Sequence, residues 1–352
     1  MLLRPYNELH FDVRIKSTSP LLIKESRFTD ENRKDWSGDK EEIKKRMPNV
    51  IPISRASTID IQRAVLNTNA YEAVSKLPFF LPASSLRGVC RSHLERALRS
   101  FDDPNSPRNC DPFESNENSP QLSCSDALNA RKLQWDKLSK EKKREIPNHP
   151  YTFSCPACRL FGTTQQSSRI SFTDGERIEG TGGLAQREHV RIDRRKGSVG
   201  GPPLKFFGLN DASFKFEIKL QNFELPQVIL LGVLLADLTA GNITIGSGKS
   251  KGYGRVKLEM CSNTLTNYAQ EEPTYNELRG VAECPERGVW FQQRYGIQAA
   301  QHVEPLVPAQ WTQNSAWRWS RAIQMSEFSQ LWPKLKLQPA RPLQDRLKLA
   351  SA

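Results

Sequence analysis

Residues 10–17, HFDVRIKS, alternate Phe11, Val13 and Ile15 with polar neighbours, the two-residue period of a strand with one buried face. The same alternation returns in SFKFEIKL at residues 213–220, inside a longer stretch of two β-like runs. Between them, Leu86, Val89, Cys90, His93, Leu94, Ala97 and Leu98 recur at helical spacing, and Ser84 or Ser85 can cap that helix. RISFTDGERIEG (169–180) reads as strand and turn, VILLGVLLADL (228–238) after Pro226 as a buried helix, and RVKLEM (255–260) as a closing strand. The order strand, helix, strands, helix, strand is that of an α+β protein and is compatible with a split β-α-β, ferredoxin-like core.

The segments between these elements are long. Residues 18–76 show no sustained apolar period and carry both charge signs, with room for a short helix in residues 58–76; a loop of that length in a compact domain is usually functional or disordered. Residues 102–121 are a Pro/Asn/Ser-rich linker, and residues 125–145 read as a charged helix with a solvated face. Beyond Met260 the pattern becomes irregular and holds Trp311, Trp317, Trp319 and Trp332. Two readings stand for this tail: a surface that docks on a partner, since Trp is enriched at interface hot spots, or a helical appendage packed on its own core.

Composition narrows the class. The chain has 352 residues, 37% of them apolar, which allows one elaborated domain or two. A net charge of +12 points to a polyanionic partner. The longest apolar run, residues 228–236, falls far short of the ~20 residues a bilayer span needs. With no signal-peptide pattern at the start, a cytoplasmic location without membrane contact is expected. Seven cysteines in so long a chain suit metal or core roles rather than a disulfide framework.

Cys155 and Cys158 form a C-x₂-C knuckle, and Cys110 and Cys124 lie upstream in the same polar insertion. Four thiolates can close a tetrahedral structural zinc site; His149, six residues before Cys155, competes for the fourth place. Residues 101–165 contain few apolar side chains, so metal ligation would provide folding free energy that a core cannot. Cys90 and His93 belong to the apolar stripe, and Cys261 and Cys284 have no assigned role.

GSGKSKGYGRV (246–256) packs four glycines and the cations Lys249, Lys251 and Arg255 into one loop. Glycine permits positive φ and close approach, and successive loop N–H groups make a concavity for anions. The spacing is neither a Walker loop nor G-x-G-x-x-G opening a helix. PASSLRG (82–88), CPACRLFG (155–162), HVRIDRRKG (189–197) and this loop, in that order, together resemble the RAMP superfamily of CRISPR-associated proteins. The nearest likeness is to the backbone subunit of type III effector complexes, over about residues 8–260.

The resemblance implies a ferredoxin-like (RRM-like) domain over residues 1–260, with insertions at about 18–78, a zinc-binding insertion at 101–168 and a thumb-like hairpin at 175–210. Residues 261–352 then form a C-terminal extension that docks on a partner subunit. It implies guide crRNA, target RNA and other subunits of the complex as partners. Backbone-reading contacts would come from Ser84, Ser85, Arg87 and Arg91 at the helix start, Arg191, Arg194 and Arg195 on the hairpin, and Gly248, Lys249, Ser250 and Lys251 in the Gly-rich loop. A loop aspartate would assist target cleavage with Mg²⁺: Asp60, after Ile59, fits the family pattern best, and Asp30 is the second choice. This loop is longer than the family's, with Pro20 and Lys24 where glycines are expected. Two other readings remain: a non-catalytic scaffold, and a guide-processing endoribonuclease, for which His10 and His93 are poor general bases.

Overall fold

The row Leu9, Phe11, Val13 and Ile15 is wholly buried, and it is the inner face of the central strand β1 (Asn7–Ser17). The structure is a computed structural model that describes residues 4–25, 42–43, 46–100, 109–119, 121–145, 149–273, 278–284, 287–295, 297, 299, 311–315 and 318–322. After β1 come α1 (Thr58–Asn67), α2 (Ala70–Ser75), the short β2 (Phe80–Leu81) and the long α3 (Ala83–Ser100). The cysteine-bearing insertion holds α4 (Cys124–Asp136), α5 (Lys140–Glu145), α6 (Pro150–Phe153) and α7 (Pro156–Phe161). Then follow β3 (Ile170–Phe172), β4 (Gly175–Arg177), β5 (Gly183–His189), β6 (Leu204–Asn210), β7 (Ser213–Gln221), α8 (Leu225–Ala240) and β8 (Val256–Asn267). Last are α9 (Gly288–Tyr295), β9 (Thr312–Ser315) and β10 (Arg318–Ala322).

β1 pairs antiparallel with β7 on one side and β8 on the other, and β3 and β4 both pair with β7. The sheet runs β2-β4-β7-β1-β8-β10-β9. Leu86, Cys90, Leu94 and Leu98 of α3 and Val228, Leu231, Leu235 and Leu238 of α8 join the β1 row in one core. Each such fully buried aliphatic side chain stabilises by roughly 1.5–3 kcal/mol relative to exposure. α8 starts on a capping box between Glu224 and Gln227 and stops at Gly241, whose φ of 80° is in the left-handed region. The opposite sheet face carries His10, Asp12, Arg14, Lys215, Glu217 and Lys219, as alternation requires.

Several boundaries differ from the sequence reading. The room for one short helix in residues 58–76 is filled by two, α1 and α2. The charged stretch 125–145 is not one solvated helix: α4 buries Ala127, Leu128 and Arg131, whose guanidinium stacks 3.6 Å over Phe153. β4 belongs to the main sheet, so the separate hairpin consists of β5 and β6 alone. A division after residue 260 cuts β8, and β10 extends the same sheet by pairing with residues 264–267. Val281, Ala282, Phe291, Tyr295 and Ile297 pack with Tyr151 in a second, smaller buried cluster. Trp311 also lies against the main core; Trp317 and Trp332 fall outside the described residues, as does the side chain of Trp319.

Candidate functional site

The four cysteines of the insertion meet. Cys110 comes from a loop, Cys124 opens α4, Cys155 caps α7 and Cys158 lies one turn into it. Pro156 at the first turn of α7 fixes the helical φ there, so C-x₂-C turns both sulfurs the same way. All four Sγ atoms lie within 4.8 Å of one another and all four residues are buried. Cys110 Sγ is 3.7 Å from the sulfurs of both Cys155 and Cys158. That is too long for a disulfide bond of about 2.05 Å. It is close to the edge, roughly 3.8 Å, of a tetrahedron built on a 2.3 Å zinc–sulfur bond. Backbone N–H groups already point at the sulfurs: Cys155 N donates to Cys124 Sγ at 3.3 Å and Cys158 N to Cys155 Sγ at 3.4 Å.

Without a cation, hydrogen bonds among the sulfurs push the thiols far up: those from Cys124 and Cys155 act on Cys110, and those from Cys110 and Cys124 on Cys158. A divalent cation reverses that balance by favouring the thiolates. The cluster can hold a metal ion and its donor set is compatible with zinc. His149 stands elsewhere. Its Nδ1 accepts from Tyr151 N at 3.2 Å as the cap of α6, and its ring meets Tyr295 edge-on. Burial, and after it the nearby arginines Arg294 and Arg169 among other cations, pull its pKa down to about 4.

α3 packs against this centre, and that decides the fate of its arginines. Arg87 donates to the Phe161 carbonyl, and Arg91 donates to the Gly162 carbonyl at 3.1 Å, to Glu95 at 2.7 Å and to Cys158 Sγ at 3.4 Å. Both residues are half-buried. The sequence reading grouped them with the phosphate contacts; in this structure their donors face the cysteine segment. At the helix start Ser84 is exposed and Ser85 half-buried, while the Ala83 N–H is taken by Asp174 Oδ1 at 2.7 Å.

The Gly-rich loop lies at the end of the sheet where Ser17 of β1 faces Val256 of β8. Gly246, Gly248, Gly252 and Gly254 all have positive φ. At Gly254 a Cβ would stand 2.1 Å from the Ile245 carbonyl oxygen, and at Gly246 2.3 Å from that of Leu22, so no other residue fits the observed path. Lys249, Ser250 and Lys251 form one exposed 3₁₀ turn. Burial, and after it the charge of Arg96, lower the pKa of Lys249.

The hairpin of β5 and β6 stands against this loop. His189 Nε2 is 2.9 Å from the Tyr253 hydroxyl, Arg187 lies 5.3 Å over the Tyr253 ring and Lys251 lies 5.0 Å over Phe206. Beyond the paired strands the hairpin continues to a tip where Asp193 Oδ1 accepts from the N–H groups of Arg195 and Lys196. Arg191, Arg194 and Arg195 are all exposed there. Two basic segments far apart in sequence thus share one surface, joined through Tyr253. Arg96, His189, Phe206 and Tyr253 are members of that surface that the sequence reading did not select. Only the aromatic inside the glycine run and the histidine heading the basic run signalled them.

Asp60 sits in the first turn of α1 and is exposed. Ser57 Oγ accepts from its backbone N–H at 3.1 Å and donates to its Oδ2 at 2.6 Å, a reciprocal cap. Among the described residues Asp60 belongs to no group of three or more His, Cys, Asp or Glu that could hold a metal. Asp30 lies outside the described residues. A second acidic group, His10, Asp12 and Glu217, occupies the polar sheet face, where Lys219 Nζ meets Glu217 at 3.0 Å and Ser262 bonds Asp12. His93, paired with Asp237 at 2.7 Å, links α3 to α8.

No described helix is long and apolar enough to cross a membrane. The family model of the RAMP superfamily matches residues 14–257 of the chain. No curated protein matches it.

Proposed function

The chain belongs to the RAMP superfamily, and from that premise we propose that it is a guide-RNA-binding backbone subunit of a type III CRISPR effector complex. Membership points to a CRISPR-associated RNA-binding protein. The strand order β3-β7-β1-β8, all antiparallel, with α3 and α8 on one face, supports a ferredoxin-like palm. In this reading the cysteine centre is a structural zinc site within an insertion, and β5–β6 with its basic tip is the thumb.

The observation that carries the reading is the junction of hairpin and Gly-rich loop. It gathers Arg187, His189, Lys249, Lys251 and exposed backbone, with Arg191, Arg194 and Arg195 beyond. Cations and N–H groups of this kind contact phosphate and carry no base preference, as a subunit that must accept any guide requires. The aromatic faces of Tyr253 and Phe206 are already covered by Arg187 and Lys251. Charge rather than base stacking therefore dominates the surface.

Target cleavage is assigned to the carboxylate of Asp60, acting with a divalent cation in the loop between β1 and α3. When bound, such a cation supplies charge stabilisation at the displaced oxygen. Among the described residues Asp60 joins no group of three or more His, Cys, Asp or Glu that could hold a metal, and its bond to Ser57 favours a second reading, a scaffold without chemistry. The test is the assembled, guide-containing complex with labelled complementary RNA and Mg²⁺, comparing wild type with Asp60→Ala. Loss of one or more discrete cuts with guide binding intact is expected for the endonuclease. An unchanged pattern makes the subunit a scaffold and leaves Asp60 as a first-turn carboxylate bonded to the N-cap Ser57, whose removal costs about 0.3–1 kcal/mol.

A further inference from the structure

We propose that Arg91 is a positioning residue of the cysteine centre, holding the charge of the metal-bound thiolates and fastening the centre to α3. Four thiolates around one divalent ion leave a net dianion. Taking that charge out of water is costly unless a cation or hydrogen-bond donors face it. The cationic Nη2 of Arg91 reaches a ligand sulfur, 3.4 Å from Cys158 Sγ.

The three guanidinium nitrogens of Arg91 face three different groups. Nη2 points at Cys158 Sγ, Nη1 at the Gly162 carbonyl 3.1 Å away, and Nε at Glu95 Oε1 2.7 Å away. Glu95 is itself buried and fixes the fork in place. Gly162 closes α7 at a φ of 80°, where a Cβ would stand 2.7 Å from the Gln166 carbonyl oxygen. A lysine ammonium is a point charge and cannot span this set. Two further arginines of the same helix clasp the same segments, Arg87 on the Phe161 carbonyl and Arg99 on the Cys110 carbonyl at 3.1 Å. The cysteine centre and α3 are therefore stitched together along the helix, from its second turn to its last.

The consequence for nucleic acid rests on the RNA-binding reading above: the Arg91 guanidinium is committed to the cysteine centre and is not a phosphate contact.

The experiment uses the full chain, wild type, Arg91→Gln and Arg91→Lys, loaded with zinc. Competition against a chromophoric chelator gives the metal affinity, and titration with single-stranded RNA across a salt series gives the RNA affinity and its salt slope. Zinc affinity is expected to fall about 10- to 100-fold in Arg91→Gln, the usual effect of removing such a supporting contact, with Arg91→Lys between the two. At saturating zinc, Arg91→Gln is expected to bind RNA as wild type does, with the same salt slope. Unchanged zinc affinity overturns the proposal. So does an RNA deficit that persists at saturating zinc with a slope smaller by about 0.7, the mark of one lost phosphate contact. Zinc-loaded wild type that binds no RNA defeats the RNA reading alone, and the chelator titration still decides the role of Arg91. Should Arg91→Gln fail to fold, Arg91→Lys against wild type carries both comparisons.

Discussion

Two sets of arginines look alike in the sequence and differ in the fold. Arg87 and Arg91 follow a serine pair at a helix start, and Arg191, Arg194 and Arg195 cluster in a basic run. The first set is half-buried, with its donors on Phe161, Gly162, Glu95 and Cys158. The second is exposed on a hairpin tip whose turn is held by the Asp193 side chain and backbone; of its guanidinium groups Arg191 donates to the Gly200 carbonyl at 3.3 Å from an exposed position. A guanidinium committed to protein acceptors stabilises the fold; one held out in water raises the local potential for an anion. Net charge counts both kinds equally, so the +12 of this chain overstates the cations free to meet RNA.

The sharpest way to break that contrast is at the inward side. Cys158→Ser removes a sulfur that three neighbours and Arg91 face. It is expected to abolish tight zinc binding and to lower stability by more than about 3 kcal/mol, because ligation contributes folding free energy directly. Urea unfolding with and without zinc checks this: wild type should lose stability on metal removal, and the variant should be indifferent to zinc.

Gly254→Ala is expected to come next. It forces a Cβ to 2.1 Å from the Ile245 carbonyl at a φ of 83°, so the loop must shift, at a cost of about 1–3 kcal/mol. RNA affinity should fall with it, since Lys249 and Lys251 ride on that loop. Thermal unfolding and RNA titration in parallel test the pairing.

The outward set should give the smallest effect on the fold and a clear one on binding. Arg191→Gln, Arg194→Gln and Arg195→Gln combined are expected to leave stability within about 0.5 kcal/mol. The slope of log affinity against log salt for single-stranded RNA should fall by roughly 2, three contacts at about 0.7 each. A large stability loss in this variant, or an unchanged slope, would erase the distinction between the two sets.

Much of the scaffold was legible because alternation and helical spacing are local. The buried row of β1, the stripe of α3 and the apolar run of α8 all stand where residues 10–17, 86–98 and 228–238 put them. The cysteine group was legible too, since C-x₂-C and two nearby thiols in an apolar-poor insertion have few other uses. Less legible was the tail: β8 continues to Asn267 by pairing with the start of β1, and β10, about fifty residues further on, adds to residues 264–267. Asp60 was read as chemistry from its neighbours in sequence, and the fold shows it first as the partner of Ser57.

The sequence by itself determined the main strands and helices of the core, that four thiols share one insertion, and that glycine must line residues 246–254. Those features follow from periodicity, donor chemistry and allowed φ, which are properties of short stretches. Only the tertiary structure decided which cations face inward, that the hairpin meets the Gly-rich loop through Tyr253, and that α3 is fastened to the cysteine centre. The direction of a guanidinium depends on acceptors brought within about 3 Å from segments roughly seventy residues away, as Gly162 is for Arg91. No local pattern encodes that distance.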